Sequence, residues 1–129
     1  MAKKMNAKGR RSSGTFLALP HNLINSPKFH DLSGNATKLL IQLAGMYNGK
    51  NNGDLSASFK NMKAKGWRSE TTLSKALNQL LEYGFLVKTR QGGLNNTCNL
   101  YGLTWKQIDQ STKYDTQQYT GKVLAWWKN

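Results

Sequence analysis

Apolar residues recur at helical spacing in two long stretches of the chain. In the first, Ala36, Leu39, Leu40, Leu43 and Tyr47 fall on one face, which predicts a helix over 35–47. Ile41, Ala44 and Met46 widen that surface, so this helix is expected to be buried on more than one side. Gly34 and Asn35 are expected to start it. Asn48, Gly49, Asn51, Asn52 and Gly53 are expected to end it, because Asn and Gly supply left-handed turn conformations. In the second stretch, Leu73, Ala76, Leu77, Leu80 and Leu81 form a stripe that predicts a helix over 69–83. Ser69 is placed to cap its start and Gly84 to stop it. Between the two, Phe59 and Met62 lie three apart. They predict a shorter helix over 57–65, with Lys60, Lys63 and Lys65 outside and Gly66 at its end.

After Gly84 the pattern changes. Phe85 to Arg90 reads as a strand, Gln91 to Asn96 as a hairpin tip rich in Gly and Asn, and Thr97 to Trp105 as the returning strand with Leu100 and Leu103 inward. Two further short strands are expected, at Asp54 to Ser56 and at Thr15 to Leu19. Pro20 opens a turn, Ser26-Pro27 starts a helical turn, and Phe29 and Leu32 should pack on the core. The chain therefore reads as α+β, mainly α, with three main helices and a small antiparallel hairpin.

Charge sharpens this picture. The 129 residues carry 19 Lys and Arg against 6 Asp and Glu, a net charge of +13, which predicts attraction to a polyanion. Five of the positive charges, Lys3, Lys4, Lys8, Arg10 and Arg11, lie among Gly and Ser in residues 1–14. That stretch is expected to be a disordered arm, either solubilising or laid along DNA phosphates and a minor groove. Residues 15–105 are expected to form the folded domain and 106–129 a polar C-terminal tail. The tail ends in Val123-Leu124-Ala125-Trp126-Trp127, whose indoles either dock on their own domain or serve a protein partner or second copy. A single cysteine, Cys98, excludes an intrachain disulfide, and a small buried strand cysteine is the favoured reading over a redox sensor. No apolar run reaches the length of a membrane span and no hydrophobic signal segment follows the basic start, so a cytoplasmic, nucleoid-associated protein is expected.

The order Gly66-Trp67-Arg68-Ser69-Glu70-Thr71-Thr72-Leu73, followed by Ala76-Leu77, Leu80, Gly84 and Phe85-Leu86, resembles the helix-turn-helix of bacterial winged-helix regulators. With Asn51-Asn52-Gly53-Asp54-Leu55 before it, it is also similar to winged helices of phage and plasmid replication or regulatory proteins. The resemblance covers roughly residues 35–105. Two departures stand out: the turn Gly66 to Ser69 is one residue longer than the commonest version, and Glu70 stands where relatives place a basic or neutral residue. Glu70 is either a partner of the helix dipole or an acceptor for a cytosine amino group.

The resemblance implies sequence-specific binding of double-stranded DNA, as in a transcription regulator. The helix from Ser69 to Tyr83 would enter the major groove. Thr71, Thr72, Lys75 and Asn78 would reach bases or nearby phosphates, with Ser69 at the cap. Arg68, Lys63 and Lys65 would contact the backbone, and Lys88, Arg90 and the Gly92-Gly93 tip would act as a wing against an adjacent groove. Trp67 would plug the angle between the two helices or, alternatively, stack on a base. The alternative function is a replication or DNA-packaging accessory protein that holds DNA for partners. A third is an RNA-binding protein, which would need exposed strand aromatics, and Tyr101 is the clear strand candidate. Enzymatic activity is not expected. The carboxylates are scattered, His21 and His30 have no metal spacing, and there is no phosphate loop, nucleophile motif or cofactor signature.

Overall fold

Serine hydroxyls open most of the helices. In the computed structural model, which describes residues 14–93 and 97–128, a short helix α1 (His21–Ile24) follows Pro20. Then come α2 (Pro27–His30), α3 (Gly34–Gly45), α4 (Phe59–Lys63) and α5 (Glu70–Glu82). The residue before each of these four is a serine, and its Oγ accepts from the free amide of the third helical residue. Ser26 accepts from Phe29, Ser33 from Ala36, Ser58 from Asn61 and Ser69 from Thr72, at 3.1–3.3 Å. Each such cap contributes about 1 kcal/mol and fixes where the helix begins. α3 starts at Gly34 and Asn35 as expected, with Ser33 as the cap that the pattern alone did not mark. α4 is shorter than the 57–65 stretch its pattern predicts.

The sheet has two antiparallel strands, β1 (Leu86–Arg90) and β2 (Leu100–Leu103), with Leu86 opposite Leu103 and a bulge between Lys88 and Arg90. Among the described residues, the five α-helices and this sheet make an arrangement that is α+β and mainly helical. Three strand expectations change. The Asp54–Ser56 strand is reduced to one bridge, in which Leu55 and Tyr101 exchange backbone bonds of 3.1 and 2.8 Å. Thr15 to Leu19 is irregular, because no neighbouring strand offers it a ladder; Thr15 to Ala18 are exposed and Leu19 packs, half-buried, against the core. The returning strand is shorter than 97–105, and Cys98 precedes it and is half-buried. The basic arm, apart from Gly14, and tip residues 94–96 lie outside the described residues.

α3 and α5 pack against each other. Leu39, Leu40 and Leu43 from α3 and Leu73, Ala76 and Leu80 from α5 are buried, together with Met62, Phe85, Leu86 and Leu103. Each fully buried Leu contributes about 1.5–3 kcal/mol over an exposed one. Phe29 and Leu32 pack against this core, as the pattern predicts. Ile41 does not join it: at 37% exposed it faces away, so α3 is buried on one broad face.

Residues after Trp105 complete the core. Ile108 and Tyr114 form a second buried cluster with Val87. Further on, Trp127 is buried and stacks on Phe85 at 6.4 Å and 8°, while Phe29 meets the same ring edge-on. Of the two readings of the tryptophan pair, Trp127 follows the first and docks on its own domain. Trp126 remains 36% exposed, edge-on to Tyr119. Among the described residues no helix is long and apolar enough to cross a membrane.

Candidate nucleic-acid interface

The α4–α5 turn is held by α3. Gly66 adopts φ +99°, a left-handed conformation that glycine tolerates and that lets the chain reverse between the helices. Trp67 follows it and is buried, which supports the packing role and leaves no ring face for a base. Its indole donates to Gln42 Oε1 at 2.6 Å, while Gln42 Nε2 donates to Lys65 O at 3.1 Å. One amide on α3 thus grips both sides of Gly66. The Lys38 ammonium lies 5.6 Å from the Trp67 ring centroid. Neither Gln42 nor Lys38 stands out in the sequence, because each occupies a polar position on a helix read mainly for its apolar stripe.

From this turn α5 presents a polar face. Thr71, Lys75 and Asn78 are spaced so that they share one side of the helix, and all three are exposed. Their side chains make no hydrogen bond among the described residues, so their donors and acceptors are available to a ligand. Arg68 and Ser69 are also exposed and Thr72 is half-buried. Ser69 Oγ is committed to the cap. Glu70 lies in the first turn of α5, where a carboxylate interacts favourably with the helix dipole. Gln79, further along, accepts from Ser33 N at 2.8 Å and ties α5 to the start of α3. Lys63 and Lys65 are exposed beside the turn, as is Lys60.

The hairpin residues form a second group with a different character. Lys88 is exposed and donates to Gln91 Oε1 at 3.0 Å. Arg90 turns inward along the hairpin: its Nε and Nη2 donate to Cys98 O at 3.0 and 2.8 Å, and it is half-buried. Gly92 N donates to Asn99 Oδ1, and Gly93 N to Thr97 O. A carboxylate stands beside this end of the hairpin, since Gln91 N donates to Asp115 Oδ2 at 2.8 Å. Arg90 therefore braces the hairpin, and Lys88 is the cation it presents outward.

The one ion pair among the described residues joins Lys113 to Asp54 at 2.9 Å. Asp109 and Asp115 accept backbone amides of Asn52 and Gln91. Three of the six carboxylates are thus engaged where the C-terminal segment meets the loop before α4 and the hairpin. Tyr101 is buried and hydrogen-bonded to Asn99, and burial raises its pKa, so it offers no stacking surface for RNA. Among the described residues no three His, Cys, Asp or Glu side chains come together in a metal-binding group. No protein-family model, curated protein or solved structure matches the chain.

Proposed function

We propose that α3, α4, α5 and the hairpin act as a winged helix-turn-helix that binds double-stranded DNA in a sequence-dependent way, as a regulator of transcription does. The observation that carries this reading is the free polar face of α5, with Thr71, Lys75 and Asn78 exposed and unbonded on a helix flanked by Lys63, Lys65 and Arg68. α5 has 13 residues, about 20 Å of helix, and a helix of that kind fits the roughly 12 Å wide major groove. Asn78 can pair with an adenine edge through its amide, and Lys75 can donate to guanine O6 and N7. Thr71 and Thr72 offer methyl groups to thymine and hydroxyls to bases or phosphates. Arg68, Lys63 and Lys65 set register on the backbone. Lys88 and the Gly92-Gly93 tip approach from the wing side.

The net charge of +13 supplies the long-range attraction and the salt dependence. If about six phosphates are neutralised, log affinity falls against log salt with a slope near −5. Duplex binding by the full chain, measured from low to moderate salt, tests this; a slope between 0 and about −1 removes the proposal. A second reading, an accessory protein that holds DNA for a partner in replication or packaging, is favoured by one observation. Trp126 stays part-exposed, and Val123, three residues earlier in the chain, is 58% exposed. A part-exposed indole is a common anchor for another protein. Sedimentation of the chain with and without Trp126→Ser distinguishes self-association through this patch from a purely monomeric regulator.

A further inference from the structure

We infer that the cleft between α3 and the α4–α5 turn is a backbone-phosphate site, with Lys38 as its principal cation. This rests on the DNA-binding reading above and adds a residue from a different helix to it. The cleft, about 190 Å³, is lined by Lys38 and Asn35 from α3 and by Arg68, Ser69 and Thr72 from the turn and the start of α5. Two cations from separate elements face it, the other polar groups are amide and hydroxyl, and no carboxylate lines it. Asn35 and Thr72 also line the adjoining hollow that contains Lys75, so the cleft continues into the exposed face of α5. A phosphodiester of a duplex lying on that face is the anion of matching size and position.

The Lys38 ammonium is already placed. It sits over the buried Trp67 ring, and a Cβ added to Gly66 would lie 3.4 Å from its Nζ. The ring restrains a long side chain without neutralising its charge, and Lys38 has no carboxylate partner among the described residues. Arg68 is likewise unpaired. Arg90 shows the contrast: its guanidinium is committed to Cys98 O, with the Asp115 carboxylate close to the same end of the hairpin. Phosphate binding is thereby assigned to the helical side of the domain more than to the arginine of the hairpin.

The test uses the full chain with Lys38→Met, which keeps an apolar stem over Trp67, and Lys38→Arg, which restores charge. The duplexes are a preferred sequence and its scrambled counterpart. Lys38→Met is expected to weaken both by a similar factor, about five- to tenfold near 0.1 M salt, and to reduce the magnitude of the salt slope by about one. Lys38→Arg is expected to recover most of both. Thermal melts of each variant check that the domain is intact, and failure of Lys38→Arg to recover binding in a folded domain overturns the assignment. Unchanged affinity and slope in Lys38→Met, with wild type still binding steeply in salt, overturn the cleft and leave the α5 reading standing. Loss of discrimination without uniform weakening also overturns it, because a phosphate contact carries no base information. A wild-type slope near zero removes the DNA reading itself, and the cleft with it.

Discussion

Asn52 and Asp109 hold each other reciprocally. Asn52 N donates to Asp109 Oδ2 at 2.8 Å, and Asp109 N donates to Asn52 O at the same distance. The Asn52 side chain, fully buried, extends the clamp: its Oδ1 accepts from Leu103 N, and its Nδ2 donates to the carbonyls of Leu103, Lys106 and Gln107. A single amide therefore satisfies the chain where β2 ends and the C-terminal segment begins. The loop before α4, β2 and that segment become one unit through it.

Asn52→Ala is expected to cost about 2–4 kcal/mol, because it leaves one buried amide and several carbonyls unsatisfied. Asn52→Asp is expected to be nearly as damaging, since a carboxylate cannot donate to three carbonyls. Chemical denaturation of both variants measures this. A loss under about 0.5 kcal/mol for Asn52→Ala would show that the network is not a keystone.

Trp127 separates packing from polar satisfaction. Its ring stacks on Phe85, but its buried Nε1 has no hydrogen-bond partner among the described residues. Trp127→Ala is expected to lower stability by about 3–5 kcal/mol through the cavity it leaves. Trp127→Phe loses volume yet also removes an unsatisfied donor, so its expected cost is about 2 kcal/mol or less. Equal losses in thermal or denaturant melts would mean that the indole nitrogen finds a partner in solution. A melt unchanged in Trp127→Ala would mean that the C-terminal segment does not stay docked.

Alkaline titration reports on Tyr114. Burial, reinforced by the charges of Asp54 and Asp109, pushes its pKa up to about 12. Its hydroxyl donates to Asp109 O at 2.7 Å and to Asn52 O at 3.2 Å, bonds that the phenolate cannot make. A raised folded-state pKa means that the folded protein holds this proton more tightly than the unfolded chain. The stabilisation is therefore complete below the usual tyrosine value near 10 and is lost as pH climbs from there through about 12. Tyr114→Phe is expected to remove the last-titrating phenol from the ultraviolet titration and to flatten the fall in melting temperature over that window. Superimposable titrations of the two proteins would contradict this account.

The face of α5 makes base readout measurable. Lys75→Ala and Asn78→Ala alter exposed side chains that make no hydrogen bond among the described residues, so stability is expected to stay within about 0.5 kcal/mol of wild type. Each is expected to reduce discrimination between preferred and scrambled duplex by about 1–3 kcal/mol if its contact is bidentate. Equal weakening on both duplexes would make the helix an architectural contact with no reading of sequence.

Helices and their faces were legible because packing repeats every three to four residues: Leu39, Leu40 and Leu43, or Leu73, Ala76 and Leu80, announce themselves by spacing. Ser69 was legible as a cap, and Ser26, Ser33 and Ser58 carried the same signal, Ser26 and Ser58 ahead of weaker patterns. What stayed hidden depends on one long-range partner. Asn52 reads as a turn residue until Leu103 and Asp109 are brought to it. Arg90 reads as a free wing cation until Cys98 O folds back against it. The Thr15–Leu19 alternation had the right residues for a strand but no edge to join. Trp127 was ambiguous for a related reason, since the ring it stacks on, Phe85, itself met edge-on by Phe29, lies far away in the chain.

Arg90 supplies the sharpest contrast between a charge that contacts DNA and a charge that builds the protein. A free wing arginine would weaken binding to every duplex when removed and leave the fold alone. The bonds from Nε and Nη2 to Cys98 O predict the opposite balance. Arg90→Ala is expected to cost about 1–3 kcal/mol of stability, the range for losing hydrogen bonds from a charged donor. Arg90→Lys is expected to recover little of that, since an ammonium cannot reproduce the two-nitrogen geometry. At temperatures well below the melt, the salt slope on DNA is expected to change by less than in Lys38→Met. Hydrogen exchange at the Gln91–Gly93 amides, compared with those of α5, reads the effect locally: faster exchange confined to the hairpin supports bracing. Unchanged exchange, together with a slope reduced by a full unit, would return Arg90 to the phosphate contacts.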